Sequence, residues 1–430
     1  MISLNNYKHT VISFIFALFP LSFILGNLFI NLNLTILFLL TFTFYYDDVK
    51  YFKFNLFDKI ISIFFVYSFL VLLINFFEAK LDNEIFSSTI VIKTIFYLRY
   101  FFLYIALRFL LERRLIRSDW FFYLCAFFSI FVCFDIFFQF TFGKDIFGIS
   151  PIAVRKLSGP FGDELIAGGY IQRFCLFALF LPLLFKVKVN PILIQIFLFV
   201  IFFLGIILSG NRMPLIIFFF SIALIFILQR KLRKYFFLFI ILISVLTGSI
   251  YTTNKPIRDN FNNFFHSAEL LTKYFYTKRA RAKAGLDNTG YVGVPYTVEI
   301  DGFYKTWKKN KFFGGGVRSY RVNCPYCNSH PHNYYFEILD DLGLIGFSII
   351  TFLFFLIIYK IFKNKYFFHS KIDLNKMSLP LFCIVFFEFF PFRTSGSFFS
   401  TNNAAFIFIV LALIVTMIET HPKTEKELKT

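Results

Sequence analysis

Two histidines, His330 and His332, stand two residues apart in a chain that has only six histidines. They precede a long apolar run that begins near the pair Gly343 and Gly346. Histidine has the unperturbed pKa closest to neutral pH, which makes it the most frequent side chain for proton transfer in catalysis. The sequence therefore places two candidate acid–base residues at the edge of an apolar segment.

Arginines stand at similar edges. Arg212 ends a tight turn, residues 209–212, between two apolar runs, and Arg318 follows a run of three glycines, residues 314–316. An ionisable residue at a membrane boundary is a functional hypothesis by default, and a guanidinium group binds phosphate oxygens through a fork of donors. We expect free N–H groups of the glycine run to form an anion nest beside Arg318. The alternatives are a snorkelling Arg212 and a solvated loop charge at Arg318.

The motif Cys324-Pro325-Tyr326-Cys327 precedes the histidines and has three interpretations. In an oxidising compartment the two thiols form a local disulfide, which would stiffen the approach to the histidines. They otherwise stay free, or they bind zinc together with the histidines. The motif also resembles the active site of glutaredoxins, but no thioredoxin-like strand–helix pattern surrounds it.

Long apolar runs separate these motifs. Hydrophobic residues make up 58% of the 430 residues, whereas soluble domains have about 45–50%. Since a spanning helix needs about 20 apolar residues, the runs predict an all-α polytopic membrane protein with about twelve transmembrane helices. The first run lacks a clear cleavage site and is predicted to be an anchor, divided from the second only by Asn31. The predicted spans are Val11–Ile30, Leu32–Tyr46, Ile60–Asn75, Ile90–Leu111, Ser118–Phe140, Leu165–Phe185, Pro191–Leu208, Pro214–Leu228, Tyr235–Tyr251, Leu342–Phe362, Met377–Phe392 and Ala404–Ile418.

Basic residues cluster in alternate short loops, which the positive-inside rule assigns to the cytoplasm. These loops lie around residues 50–53, 113–117, 186–188, 230–234 and 360–371. Both termini are then predicted to be cytoplasmic, and the motifs described above lie on the opposite side. The formal net charge is +19; basic residues in short loops are typical of topology determinants, and no aromatic–basic module favours nucleic-acid binding.

The prediction divides the chain into three parts. Residues 1–251 hold the first nine transmembrane helices, residues 252–341 form a large non-cytoplasmic loop with the catalytic residues, and residues 342–430 hold three helices and a cytoplasmic tail. A loop of this length is unusual and is often functional. Within it, Val298–Trp307 is predicted to be helical.

One spacing resembles the signature of the O-antigen ligase and O-antigen polymerase superfamily. The pair His332-Asn333 is followed after nine residues by Gly343, and Gly343 is followed after two residues by Gly346. Members of this superfamily are membrane glycosyltransferases that use polyprenyl-diphosphate-linked glycans. Two weaker motifs agree with it: Ser209-Gly210-Asn211-Arg212 is similar to the family's Ser-Gly-x-Arg turn, and Gly159-Pro160-Phe161-Gly162-Asp163-Glu164 to its Gly-Pro-Phe-x-x-Glu segment. The resemblance covers most of the chain, from about Arg155 to Asn403.

The resemblance implies that an acceptor hydroxyl attacks the anomeric carbon of a lipid-linked glycan and that polyprenyl diphosphate leaves. The family spacing selects His332 as the general base for this hydroxyl and makes His330 a supporting neighbour. The alternative for His332 is a helix-capping or interfacial histidine. Asn333 either orients His332 or, more simply, caps the following helix.

Arginines, and not a metal, are predicted to stabilise the leaving diphosphate, because no acidic pair on the outer face has convincing metal spacing. We therefore expect no metal and no other cofactor. The predicted diphosphate-binding residues are Arg212, Arg318, Arg155 and Arg173, with Arg321 and Arg393 as lesser candidates. Arg173 alternatively pairs with an acid. Glu164 either orients an arginine or begins a helix, where the helix dipole favours an acid.

The predicted function is O-antigen ligase-like transfer of a glycan from polyprenyl diphosphate to an acceptor hydroxyl, such as that of a lipid A core, at the periplasmic face of the bacterial inner membrane. The predicted partners are the glycan donor, a glycolipid or glycan acceptor and membrane lipids, without nucleic acid. The alternatives are a polysaccharide polymerase of the same superfamily and a lipid-glycan flippase or transporter. A flippase should show internal repeats and charged residues near the midplane of the membrane. Most charged residues of this chain lie instead at the ends of the apolar runs.

Overall fold

A computed structural model describes residues 4–81, 86–151, 156–183, 190–283, 295–324, 327–363, 377–394 and 396–427. The elements of this part of the chain are helices, without a β-strand, so the all-α prediction is confirmed. The α-helices are α1 Leu4–Ala17, α2 Phe19–Leu25, α3 Asn27–Phe44, α4 Tyr46–Lys50, α5 Leu56–Leu81, α6 Ser88–Glu112, α7 Ser118–Phe142, α8 Ala167–Phe180, α9 Pro191–Leu208, α10 Arg212–Leu228, α11 Phe236–Thr253, α12 Lys255–Lys283, α13 Pro295–Trp307, α14 Ser319–Asn323, α15 Tyr334–Lys363, α16 Ser378–Glu388 and α17 Thr401–Glu427. Short 3₁₀-helices lie at Gly159–Phe161, Leu181–Leu183 and Arg230–Tyr235.

Eight helices in the described part of the chain are long and apolar enough to cross a membrane, or nine if the bent pair α1 and α2 forms one span. Two further apolar helices, α10 and α16, are shorter than a full span. The predicted count of twelve is thus not confirmed, although a polytopic membrane protein is. Several predicted spans correspond to helices such as α8 with 14 residues, which is too short to cross the bilayer alone.

The division between the first two predicted spans is wrong. α3 continues through Asn31, and the chain turns instead at Gly26, where φ is 95°. A φ in this region strains residues that have a Cβ, so glycine is the residue that permits the turn. An asparagine within an apolar run, by contrast, is compatible with a continuous helix.

α17 is the central helix of the bundle. Between Thr401 and Thr420 it is almost entirely buried, and it packs against α6, α16 and α3. A helix that is apolar on all sides is expected in such a position. α11 has no buried residue and lies at the edge of the bundle, beside α12.

A fully buried ion pair joins α5, α6 and α17. Arg108 Nε donates to Asp58 Oδ1 at 3.0 Å, and Arg108 Nη1 donates to Thr416 Oγ1 at 2.6 Å. Tyr104 OH donates to the same oxygen of Asp58 at 2.7 Å. Ile90, near the other end of α6, faces Gly316; roughly 27 Å of helix separates Ile90 from Arg108. The ion pair therefore stabilises the bundle far from the loop that carries the predicted site.

The segment between α11 and α15 is largely helical. α13 confirms the helix predicted at Val298–Trp307. The sequence did not predict α12, which has 29 residues, because polar residues interrupt its apolar pattern. α15 begins at Tyr334 and not at Leu342, since the polar residues before Leu342 are already helical.

Candidate functional site

A cavity of about 1530 Å³ collects residues from distant parts of the sequence. The predicted site residues that line it are Glu164, Arg173, Arg212, Arg318, His330, His332 and Asn333. Arg393 also lines the cavity, whereas Arg321 does not. Arg155 lies outside the described residues. Arg212 and the loop that carries His332 therefore meet at one cavity, although they are far apart in the sequence.

Arg212 is the first residue of α10, and the preceding turn positions it. Gly210 has a φ of 67°, and Asn211 Oδ1 accepts a hydrogen bond from Gly168 N of α8 at 3.0 Å. Arg212 Nε donates to Asn260 Oδ1 of α12 at 2.8 Å, and Asn260 Nδ2 donates to the Gly210 carbonyl at 3.0 Å. Three helices thus hold this guanidinium group at the positive end of the α10 dipole, which favours an anion.

The glycine run at residues 314–316 does not form the predicted anion nest. Each of its three N–H groups donates to a carbonyl, and the acceptors are those of Asn310, Asp340 and Asp341, at 3.0, 3.0 and 2.8 Å. The prediction is wrong because the run docks against α15, which accepts from Gly315 and Gly316, and because Gly314 donates within its own turn. An anion would have no free backbone donor in this run.

The glycine run and the residues before it dock where α15 is interrupted at Gly343. Gly343 has φ 62° and ψ −169°, and the next residue, Leu344, donates its N–H to the Lys311 carbonyl at 2.9 Å. A Cβ at Gly343 would overlap the carbonyl oxygen of Phe312. The first glycine of the Gly-x-x-Gly signature therefore allows two backbones to approach each other.

Asp341 of α15 fixes the backbone around Arg318. Its Oδ2 accepts from Arg318 N at 2.5 Å, and its Oδ1 accepts from Ser319 Oγ and Tyr320 N at 3.0 and 3.1 Å. The guanidinium group of Arg318 lines the cavity, and its Nε is buried without a partner among the described residues. A buried donor without an acceptor is destabilising. Arg318 is therefore a candidate ligand for an anion.

His330 and His332 lie edge to face, with ring centroids 4.4 Å apart. His332 has a φ of 50°, which is uncommon for a residue other than glycine. His330 Nδ1 lies 2.9 Å from Ser329 Oγ, and its Nε2 is buried without a partner in the described part of the chain. Burial, and then the charges of His332 and Arg318, lower the pKa of His330 to about 4. His330 is therefore neutral at pH 7 and adds no charge beside His332.

Asn333 caps α15. Its Oδ1 accepts hydrogen bonds from Tyr335 N at 2.9 Å and Phe336 N at 3.3 Å. Its Nδ2 donates to the Pro391 carbonyl at 2.7 Å. The residue that follows His332 is thus fixed both to α15 and to the segment between α16 and α17.

A disulfide joins Cys324 and Cys327, so neither sulfur is a free thiolate for zinc. It packs against Gly302 of α13, where a side chain would overlap Cys327 Sγ. One turn earlier, the buried carboxylate of Glu299 lines the cavity and accepts from Asn328 N at 3.2 Å. The disulfide and Glu299 together hold the loop that leads to the histidines.

Glu164 lies three residues before α8, which begins at Ala167, so it does not begin that helix. Its N–H donates to the Phe161 carbonyl at 3.1 Å within a turn. The first turn of α8 is instead tied down by the side chain of Asn211. Glu164 still lines the cavity, as Arg173, Arg212 and Arg318 do.

Arg173 pairs with Glu388, an acid that sequence reasoning missed. Arg173 Nη2 donates to Glu388 Oε1 at 2.6 Å, and Arg393 Nη1 donates to Glu388 Oε2 at 2.5 Å. The signal in the sequence is an isolated acid at the end of an apolar run, followed five residues later by an arginine. In a membrane protein such an acid is expensive unless it has a partner.

The fold and the cavity together define a polytopic membrane protein with a histidine and several arginines gathered in one chamber. The O-antigen ligase family model matches residues 197–367, from within α9 to just beyond α15. This match covers less than half of the chain, and it confirms the resemblance to the O-antigen ligase and polymerase superfamily that the motifs predicted. The match includes Arg212, Arg318 and His332. No individual curated protein is significantly similar to the chain.

Proposed function

We propose that this protein is an O-antigen ligase-like glycosyltransferase. It would transfer a glycan from polyprenyl diphosphate to an acceptor hydroxyl, at the periplasmic face of the bacterial inner membrane. The observation that carries the proposal is the convergence of His332, Arg212 and Arg318 on one cavity of about 1530 Å³. A lipid-linked glycan and its acceptor need a chamber of this size, with a base and cationic groups on its wall.

The proposed reaction is a single displacement. The acceptor oxygen attacks the anomeric carbon, the bond from that carbon to the diphosphate oxygen breaks, and its electron pair leaves with the diphosphate. His332 accepts the hydroxyl proton on a ring nitrogen. Arg212 and Arg318 bind the diphosphate, where negative charge increases as the bond breaks. Arg155 remains a proposed ligand from the sequence, and Glu164 a supporting residue.

An apolar wall beside the arginines supports a lipid-linked donor. It is formed by Met213 and Ile216 of α10 and by Phe347 and Phe354 of α15. A polyprenyl chain has only apolar surface to bury, and such a wall removes it from water. The cavity therefore combines the two surfaces, apolar and cationic, that a polyprenyl diphosphate requires.

A polymerase of the same superfamily would use the same base and the same diphosphate ligands, and it differs in its acceptor. The test is a glycan-transfer assay with purified protein, a polyprenyl-diphosphate glycan and two acceptors, lipid A core and a second lipid-linked glycan. The proposal predicts transfer to lipid A core and equal rates with and without a metal chelator. Transfer only to the lipid-linked glycan would assign a polymerase, chelator-sensitive transfer would contradict the metal-free mechanism, and movement of donor across vesicles without transfer would indicate a flippase.

A further inference from the structure

Glu388 lies at the end of α16, and its side chain is completely buried. Two arginines share it: Arg173 of α8 and Arg393, in the segment between α16 and α17. Tyr334 OH also donates to Glu388 Oε1, at 2.8 Å. One carboxylate with two guanidinium groups leaves a net positive charge at the cavity wall, and removing this charge from water is unfavourable unless an anion binds.

The two arginines differ in which edge of the guanidinium group they use. Arg173 turns its Nε and Nη2 edge to Glu388, at 3.3 and 2.6 Å. Its Nη2 also donates to Asn403 Oδ1 at 2.7 Å, and its Nη1 donates to Asn402 Oδ1 at 3.3 Å. The guanidinium group of Arg173 also lies over the ring of Phe406, with Cζ 4.6 Å from the ring centroid. All three nitrogens of Arg173 are thus occupied by protein acceptors.

Arg393 contacts Glu388 through Nη1, and not through the Nε and Nη2 edge that Arg173 uses. Its Nη1 donates to Glu388 Oε2 at 2.5 Å and to the Phe387 carbonyl at 3.3 Å. Among the described residues, its Nε and Nη2 have no hydrogen-bond partner, yet the residue is only 8% exposed and lines the cavity. Nε and Nη2 form the edge that binds two oxygens of a phosphate group side by side.

The position of Arg393 is coupled to that of the proposed base. Asn333 Nδ2 donates to the Pro391 carbonyl at 2.7 Å, and Asn333 follows His332 directly. The same asparagine caps α15. A phosphate group on Arg393 would therefore lie on a segment that is tied to the base, which suits a leaving group beside the attacked carbon.

We propose that Arg393 binds the diphosphate of the donor lipid through its Nε and Nη2 edge, that Glu388 positions Arg393, and that Arg173 supports Glu388 without binding the donor. This inference rests on the proposed function, because it assumes a polyprenyl-diphosphate donor. It changes the role predicted for Arg173, from a diphosphate ligand to a supporting residue. It adds a ligand from the segment between α16 and α17 to Arg212 and Arg318.

Binding of farnesyl diphosphate, compared with farnesol, tests the inference on the full chain in lipid nanodiscs. Arg393→Gln should weaken binding of farnesyl diphosphate about 10- to 100-fold, as expected for lost hydrogen bonds to a charged group, and leave farnesol binding unchanged. Arg393→Lys should recover only part of the affinity, because lysine lacks the planar fork. Both variants should keep Glu388 paired with Arg173, and thermal unfolding of each variant checks that the fold is preserved. Arg321→Gln, an exposed arginine outside the cavity, is the matched control and should bind like the wild type.

The variant Glu388→Gln distinguishes two effects of Glu388 on diphosphate binding: the positioning of Arg393 and the negative charge of the carboxylate. Removing a negative charge beside the cavity would by itself strengthen binding of farnesyl diphosphate. If Glu388 positions Arg393, the affinity should instead fall by about tenfold, by loss of one charge-assisted hydrogen bond. Unchanged or stronger binding would contradict the positioning role.

The outcomes distinguish this inference from the proposed function. If Arg393→Gln binds farnesyl diphosphate like the wild type while Arg212→Gln binds it more weakly, the ion pair of Arg393 is only structural and the inference fails. If the wild type does not prefer farnesyl diphosphate to farnesol, the proposed donor class itself fails.

Discussion

At the scale of single residues, the two histidines have different environments. His330 is partly buried, with its Nδ1 beside Ser329 and a pKa lowered to about 4. His332 lines the cavity, in a backbone conformation with φ 50°, immediately before the cap of α15. A neutral neighbour does not oppose the positive charge that a general base acquires when it accepts a proton. The geometry therefore supports His332 as the base and His330 as its neighbour.

His330→Gln should change how stability depends on pH. The pKa of His330 is about 4 in the folded protein, below the ordinary 6.5. Between these values the unfolded chain binds more protons, so the stability of the wild type should fall as the pH drops from 6.5 towards 4. In His330→Gln this loss should be smaller. Thermal unfolding in detergent across this range measures the difference, with exposed His266→Gln as the matched control. Equal pH dependence in His330→Gln and the wild type would contradict the assignment.

At the scale of elements, the break in α15 determines where the glycine run and Arg318 lie. Gly343→Ala should destabilise the protein by about 2–4 kcal/mol, because the new Cβ meets the Phe312 carbonyl and the residue has a left-handed φ. It should also lower glycan transfer, since Arg318 would shift. Thermal unfolding and the transfer assay check both effects. Gly248→Ala is the control, because an added Cβ there meets nothing within 4 Å; a loss as large as that of Gly343→Ala would show that the effect is not local.

The elements that the sequence predicted correctly are those with a periodic apolar pattern or a clear turn. α13 and the turn before Arg212 are of this kind. The bend at Gly26 and the long polar helix α12 were missed, because a single glycine and a polar sequence do not indicate which neighbours will hold them. The prediction of an anion nest was wrong for the same reason. Whether the N–H groups of the glycine run are free depends on α15, whose acceptors lie more than twenty residues later in the chain.

At the scale of the whole molecule, the cavity exists because eight α-helices of the described part of the chain, and several segments that connect them, converge. The family spacing selected His332, the turn at residues 209–212 selected Arg212, and the glycine run selected Arg318; all three line the cavity. Sequence reasoning did not select Glu388, and it ranked Arg393 below Arg173. Which of the two arginines is the better candidate for diphosphate binding depends on which edge of its guanidinium group faces Glu388. The packing of α8, α16 and α17 determines this, and no local sequence pattern encodes it.

The proposed mechanism requires that His332 removes a proton from the acceptor hydroxyl, and that the cavity binds the lipid diphosphate without the help of His332. The most direct measurement is glycan transfer by His332→Ala, with farnesyl diphosphate binding measured on the same preparation. We predict that transfer falls by about 100-fold or more, as expected for loss of a general base, while farnesyl diphosphate binding stays like that of the wild type. Transfer at the wild-type rate by His332→Ala would contradict a general-base role for His332.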